Sequence, residues 1–158
     1  MLRSPRRNFL VGLAVAITAS GFSSAIAQDV DCYDAEVSAR IISQTPTVIP
    51  DCGDDCIVFS WPWILDLDIR HVHFGDLRRG RLTVIAVLHT DFRSDLGSRR
   101  WKLRRNDLGG FNLLRDADNL TTRCAADQPP ATAFITPADG QTLEELRREG
   151  REHYGRDN

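Results

Sequence analysis

The sequence predicts a mainly β protein: a small, partly open β-barrel or a sandwich, with a short C-terminal helix. Three observations carry this. Between residues 35 and 114 apolar residues recur mostly at period two, in runs broken by Gly-, Pro- and Asp-containing turns. After a leader, 131 of the 158 residues remain, enough for one domain with one core. Near the end, Thr142-Leu143-Glu144-Glu145 reads as a capping box opening a helix.

The elements follow in order. Ala35, Val37, Ala39 and Ile41 alternate with Glu36, Ser38 and Arg40, a half-buried strand. Pro46 and Pro50 interrupt any ladder, and a turn spans Cys52 to Cys56. Phe59, Trp61, Trp63, Leu65, Leu67 and Ile69 then occupy successive odd positions, one face of a long strand, with Asp66, Asp68 and Arg70 on the solvent face. After Ile69 the apolar parity switches to Val72 and Phe74, so a bulge is expected at Arg70 or His71. Gly75 to Gly80 is a turn, and Arg81 to Thr90 is a strand apolar on both faces, hence central. A hairpin about that turn sets His89 roughly opposite Asp66, about 17 Å of extended chain or more from His73.

Asp91 to Ser98 is a loop or a helical turn. Arg99 to Arg105 alternates through Trp101 and Leu103, and Phe111 to Leu114 returns after the turn at Gly109-Gly110. Ala131 to Ile135 is a candidate short strand. In the last helix Glu144 and Arg148 are spaced for mutual support, and only Leu143, Leu146 and Tyr154 could dock it. The expected division is a leader at 1–27, one β domain at 28–136, and a peripheral helix and tail at 137–158.

Arg3, Arg6 and Arg7, an apolar run from Leu10 to Ala19, and Ala25-Ile26-Ala27 have the order of a signal peptide cut after Ala27. The apolar run is too short to span about 30 Å of hydrocarbon. The segment Arg6-Arg7-Asn8-Phe9-Leu10 resembles the twin-arginine signal family, departing from it at Pro5 and at Val11, where lysine is common. That resemblance implies export in a folded state to the periplasm, or secretion. The leader holds three of the 20 basic residues and none of the 22 acids, so the remaining chain carries a net charge of −5. That balance argues against general nucleic-acid binding, whose affinity rests on neutralising phosphates.

All four cysteines follow the leader, and an even count in an exported chain predicts two disulfides. Three pairings are open; the favoured one joins Cys52 to Cys56 and Cys32 to Cys124.

The span from Ala35 to Leu114 resembles OB-fold domains of the netrin and tissue-inhibitor type. The motifs are Ala35-x-Val37-x-Ala39, then Ile69-x-x-Val72-x-Phe74-Gly75 before a turn and an apolar strand, then Gly110-Phe111-Asn112-Leu113-Leu114, and a late Cys124. The resemblance implies an OB-like barrel and a binding role. The amino-terminal Cys-x-Cys by which the inhibitors chelate a protease metal is missing here, so that activity is not implied.

Candidate chemistry is sparse. His71 and His73 place two imidazoles on one strand face, with Asp68 as a third ligand, so a divalent metal is the one candidate cofactor. A strand with a solvated face explains the same pattern without metal. Asp116-Ala117-Asp118-Asn119 starts like a calcium loop but has Thr121 where the glycine belongs. Arg99, Arg100, Lys102, Arg104 and Arg105 form the dense basic stretch, with Arg100, Lys102 and Arg104 on one face. They could receive an anionic ligand or protein in the cell envelope, or could meet the chain's own acids between Asp29 and Glu36. Trp61 and Trp63 share parity with the core. No nucleophile motif is present, and the expectation is an exported binding or structural module, with a metal-binding protein as the alternative.

Overall fold

The computed structural model describes residues 32–49, 57–92, 97–115 and 117–155. The export signal (Arg6, Arg7, Phe9, Leu10, Ala25, Ala27), the Cys52–Cys56 pair and Asp116 lie outside them.

The chain forms β1 (Ala35–Pro46), β2 (Trp61–Phe74), β3 (Gly80–Leu88), β4 (Arg99–Arg105), β5 (Phe111–Leu114) and α1 (Leu143–Tyr154). The strands close into a barrel in the order β1-β2-β3-β5-β4, with β4 returning to β1. The barrel is closed rather than partly open. Its narrowest seam is the parallel pairing of β3 with β5, made at Ile85 and Asn112 alone, whereas the other neighbours are antiparallel. Ala131 makes one bridge, to Asn106, so the extra short strand does not form.

Alternation fills the interior as expected. Val37, Ala39, Trp63, Leu65, Leu67, Ile69, Val84, Ala86, Leu103 and Leu113 pack into one buried cluster, with Trp61 partly buried against it. Phe59 is 71 % exposed, because the strand begins only at Trp61. The parity switch in β2 is a pair of bulges. Ser38 faces His71 while Ala39 faces Ile69, leaving Arg70 unpaired, and a second shift between Glu36 and Val37 leaves His73 out of register.

The β2–β3 register differs from the expected one by six residues. Pairing starts at Ile69 with Gly80 and ends at Trp61 with Leu88. The two bulges turn the end of β2 along β1 and away from β3, so beyond Ile69 only His71, Val72 and Phe74 pair, and they pair with β1 alone. His89 accordingly stands beyond Trp61 and engages the Phe59 carbonyl through Nδ1, still apart from His73.

The outer surface is half covered. From Ala131 the chain runs over β5, where Asn112 Nδ2 donates to the Thr132 carbonyl at 2.8 Å and its Oδ1 accepts from Phe134 N at 3.2 Å. Helix α1 then docks on β1 and β2, and Asp66 is 2 % exposed as a result. Its carboxylate accepts from Thr83 Oγ1 at 2.7 Å and pairs with Arg147 at 3.0 Å and Arg81 at 3.3 Å. The solvated position expected for Asp66 is corrected by this helix. The helix seats itself through Gly150: a Cβ there would lie 2.0 Å from the Pro46 carbonyl oxygen. The Thr142 capping box is present, but Glu144 pairs with Arg147 and Arg151, while Arg148 pairs with Glu152. Among the described residues no helix is long and apolar enough to cross a membrane.

Candidate functional site

The barrel surface left open by α1 and the C-terminal arm is the outer face formed by residues 99–102 of β4, 36–40 of β1 and 68–74 of β2. Register sets its rows. Ser38 on β1 lies between Arg100 on β4 and His71 on β2; one row along, Glu36 lies between Lys102 and Phe74. His73 leans over from its bulge, and its Nε2 is 2.7 Å from Ser38 Oγ. The His71 and His73 rings stand 4.6 Å apart. Partial desolvation, then the Arg100 guanidinium and His71, hold the His73 imidazole below its ordinary pKa against the opposing pull of Glu36.

This geometry decides several sequence expectations. The two histidines do come together, but Asp68 does not join them; it pairs with Arg70 at 2.5 Å. Among the described residues no three His, Cys, Asp or Glu side chains gather to hold an ion. Cys32 and Cys124 are bonded to each other, with Cα atoms 4.9 Å apart, and so offer no thiolate. Ser38 and His73 form a hydrogen-bonded couple on an open sheet face. The His73 ring has no carboxylate partner orienting it among the described residues. A nucleophile–base reading needs both an orienting group and oxyanion donors.

The basic stretch splits by function. Arg104 is 5 % exposed, not solvated as the alternation suggested. It donates through Nη1 to Asp34 at 2.5 Å and through Nη2 to the Pro129 carbonyl at 2.5 Å, because the chain returns at Ala131 and covers that end of β4. Arg105 also meets Asp34, through Nε at 2.9 Å. These two cations belong to the fold, and they meet one of the chain's own acids. Arg99 lies over the Trp101 ring at 5.6 Å, and Arg100 Nε pairs with Glu36 at 3.0 Å. Lys102 Nζ donates to the carbonyls of Ala117 at 2.7 Å, Asp118 at 3.3 Å and Leu120 at 2.6 Å.

Arg99, Arg100 and Lys102 flank an open cleft of about 580 Å³, closed on its sides by Glu36, Phe92, Leu114, Arg115 and the Ala117-Asp118 turn. Sequence reasoning missed Phe92 and Arg115. Phe92 is held by Gln44, whose Nε2 donates to its carbonyl at 2.8 Å and whose Oε1 accepts from its N–H at 2.7 Å. Nothing in the loop composition signals that clasp. Trp63 is core and Trp61 is partly buried against it, and both indole Nε1 groups are buried with no hydrogen-bond partner among the described residues.

Comparison with protein-family models, with curated proteins and with solved structures found no match.

Proposed function

We propose that this chain is an exported binding module, working outside the cytoplasm through the open face of β4, β1 and β2. The observation that carries the reading is the division of the barrel surface. The interior is filled, one outer half is sealed by the C-terminal arm and α1, and the other half keeps a cleft bordered by charged side chains. Sites of this kind, concave and a few hundred Å³ in volume, are the ordinary form of small-ligand recognition. Strand order 1-2-3-5-4, with parallel β3 and β5 closing the barrel, favours assignment to the OB type, whose barrels mostly bind. The leader and its Arg6-Arg7 pair support periplasmic delivery by the twin-arginine route, and the Cys32–Cys124 bridge suits an oxidising compartment.

A second reading is metal binding at His71 and His73, favoured by their 4.6 Å ring separation. One experiment separates the two: intact mass of the protein recovered from the periplasm, native and then denatured without reduction. A chain beginning at Gln28, lacking two hydrogens per bridge and carrying no extra native mass, fits the binding module. A chain retaining residues 1–27 sinks the export assignment. A stoichiometric metal adduct lost in His71→Ala/His73→Ala replaces the first reading with the second.

A further inference from the structure

We infer that the open face of β4, β1 and β2 receives a second copy of this chain, joined to the first by a zinc ion held between His71 and His73 of each. The inference rests on the reading of that face as the working surface and gives it an occupant; the histidine pair comes from the metal reading. His71 and His73 are both exposed, and their rings stand 4.6 Å apart. Two imidazoles bound to one tetrahedral zinc through bonds of about 2.0–2.1 Å have ring centres about 5 Å apart, so the pair needs little movement to share an ion. Both side chains rise from the stretch of β2 that pairs with β1, Ser38 to His71 and Glu36 to Phe74, and a strand positions ligands more precisely than a loop.

One copy supplies half a site. A structural zinc takes four protein ligands, and among the described residues no third His, Cys, Asp or Glu gathers with the pair. Asp68 is taken by Arg70 at 2.5 Å and Glu36 by Arg100 at 3.0 Å. These pairs also bear on charge: the two guanidiniums bordering the histidines are each matched by a carboxylate, which limits their repulsion of a dication. A two-fold interface sets the same patch on both sides, so an axis through the ion duplicates the pair and completes the tetrahedron. Ser38 selects the ligating atom. Its Oγ lies 2.7 Å from His73 Nε2, and in the tautomer that donates Nε2–H to it, Nδ1 keeps its lone pair for the metal. Metal-bound histidines ordinarily anchor their second ring nitrogen in this way. Imidazole nitrogen suits zinc, whereas magnesium takes oxygen ligands.

The test is sedimentation and native mass of the purified protein, titrated with zinc chloride and, separately, with magnesium chloride. A monomer is expected without zinc, because two imidazoles alone hold an ion weakly. Zinc should convert it to a dimer that saturates at one ion per two chains, while magnesium does nothing and a chelator restores the monomer. His71→Ala/His73→Ala should lose the dimer with its thermal midpoint in metal-free buffer unchanged, since both side chains are exposed. Ser38→Ala keeps both ligands and should weaken zinc-driven dimerisation about tenfold or more. One zinc per chain on a persistent monomer overturns the inference and leaves metal binding standing. No zinc uptake by roughly 0.1 mM ion overturns the inference and metal binding together, and leaves export and the binding module to their own measurement. A dimer that forms without zinc, or one that survives the double substitution, overturns the zinc bridge.

Discussion

Asp34 joins the start of β1 to the end of β4. Its carboxylate accepts from Arg104 Nη1, Arg105 N and Arg105 Nε, at 2.5, 2.7 and 2.9 Å. Burial pushes its pKa up, but the hydrogen bonds from Arg104 and Arg105 outweigh burial and hold it below the ordinary carboxylate value. A carboxylate depressed in the folded state adds stability above its unfolded pKa, and that stability is lost as pH falls through the folded one. Acid should therefore open the β1–β4 junction only below the usual aspartate range, as followed by Trp101 fluorescence. Asp34→Asn leaves Arg104 buried without its counter-charge, at an expected cost of about 3 kcal/mol in urea unfolding at neutral pH. Gly75 is as constrained for a steric reason. With φ at +94°, a Cβ would lie 2.6 Å from the Asp34 carbonyl oxygen and 2.7 Å from the Ala35 Cβ. Gly75→Ala should cost about 2 kcal/mol or more in the same measurement.

At the scale of elements, α1 separates local from tertiary information. Thr142 and Glu145 complete a capping box written in four consecutive residues, and Thr142→Ala should lower stability by about 1 kcal/mol. Docking is a different matter. Gly150 is an unfavourable residue in a helix interior, and Arg147 reads as surface charge. Their purpose shows only once the Pro46 carbonyl and Asp66 are placed against them. Arg147→Ala should release α1, costing about 2 kcal/mol and raising amide exchange across 143–154 while β1–β5 stay protected. Uniform loss of protection over the barrel would show that the helix does more than cap one face. The strands divide along the same line. The bulge at Arg70 was legible because burial forces parity, and a switch of parity leaves a mark in the residues themselves. The β2–β3 register was not, because turn composition does not say how many flanking residues each strand gives to its other neighbour. The basic stretch was misread at Arg104 for a similar reason: alternation names a face, and only the returning segment at Pro129 decides whether water reaches it.

For the whole molecule, the decisive long-range link is Cys32–Cys124, separated by 92 positions. Closing a loop of that length removes enough unfolded-chain entropy to contribute about 4–5 kcal/mol. Cys32→Ser/Cys124→Ser should therefore melt far below the parent, and reduction should lower the parent at least as far. Backbone pairing flanks the bridge on both sides of Tyr33, whose N–H donates to the Thr122 carbonyl at 3.1 Å and whose carbonyl accepts from Cys124 N at 2.9 Å. All five strands lie between the two sulfurs, and α1 lies beyond them. The chain is thus partitioned topologically into a covalent ring and a free arm. One proteolytic nick inside the ring adds a water and releases nothing until a reductant is supplied. A nick after Cys124 leaves the arm held by noncovalent contacts alone, so denaturation releases it without reductant, and the same protease yields two outcomes that a non-reducing gel tells apart.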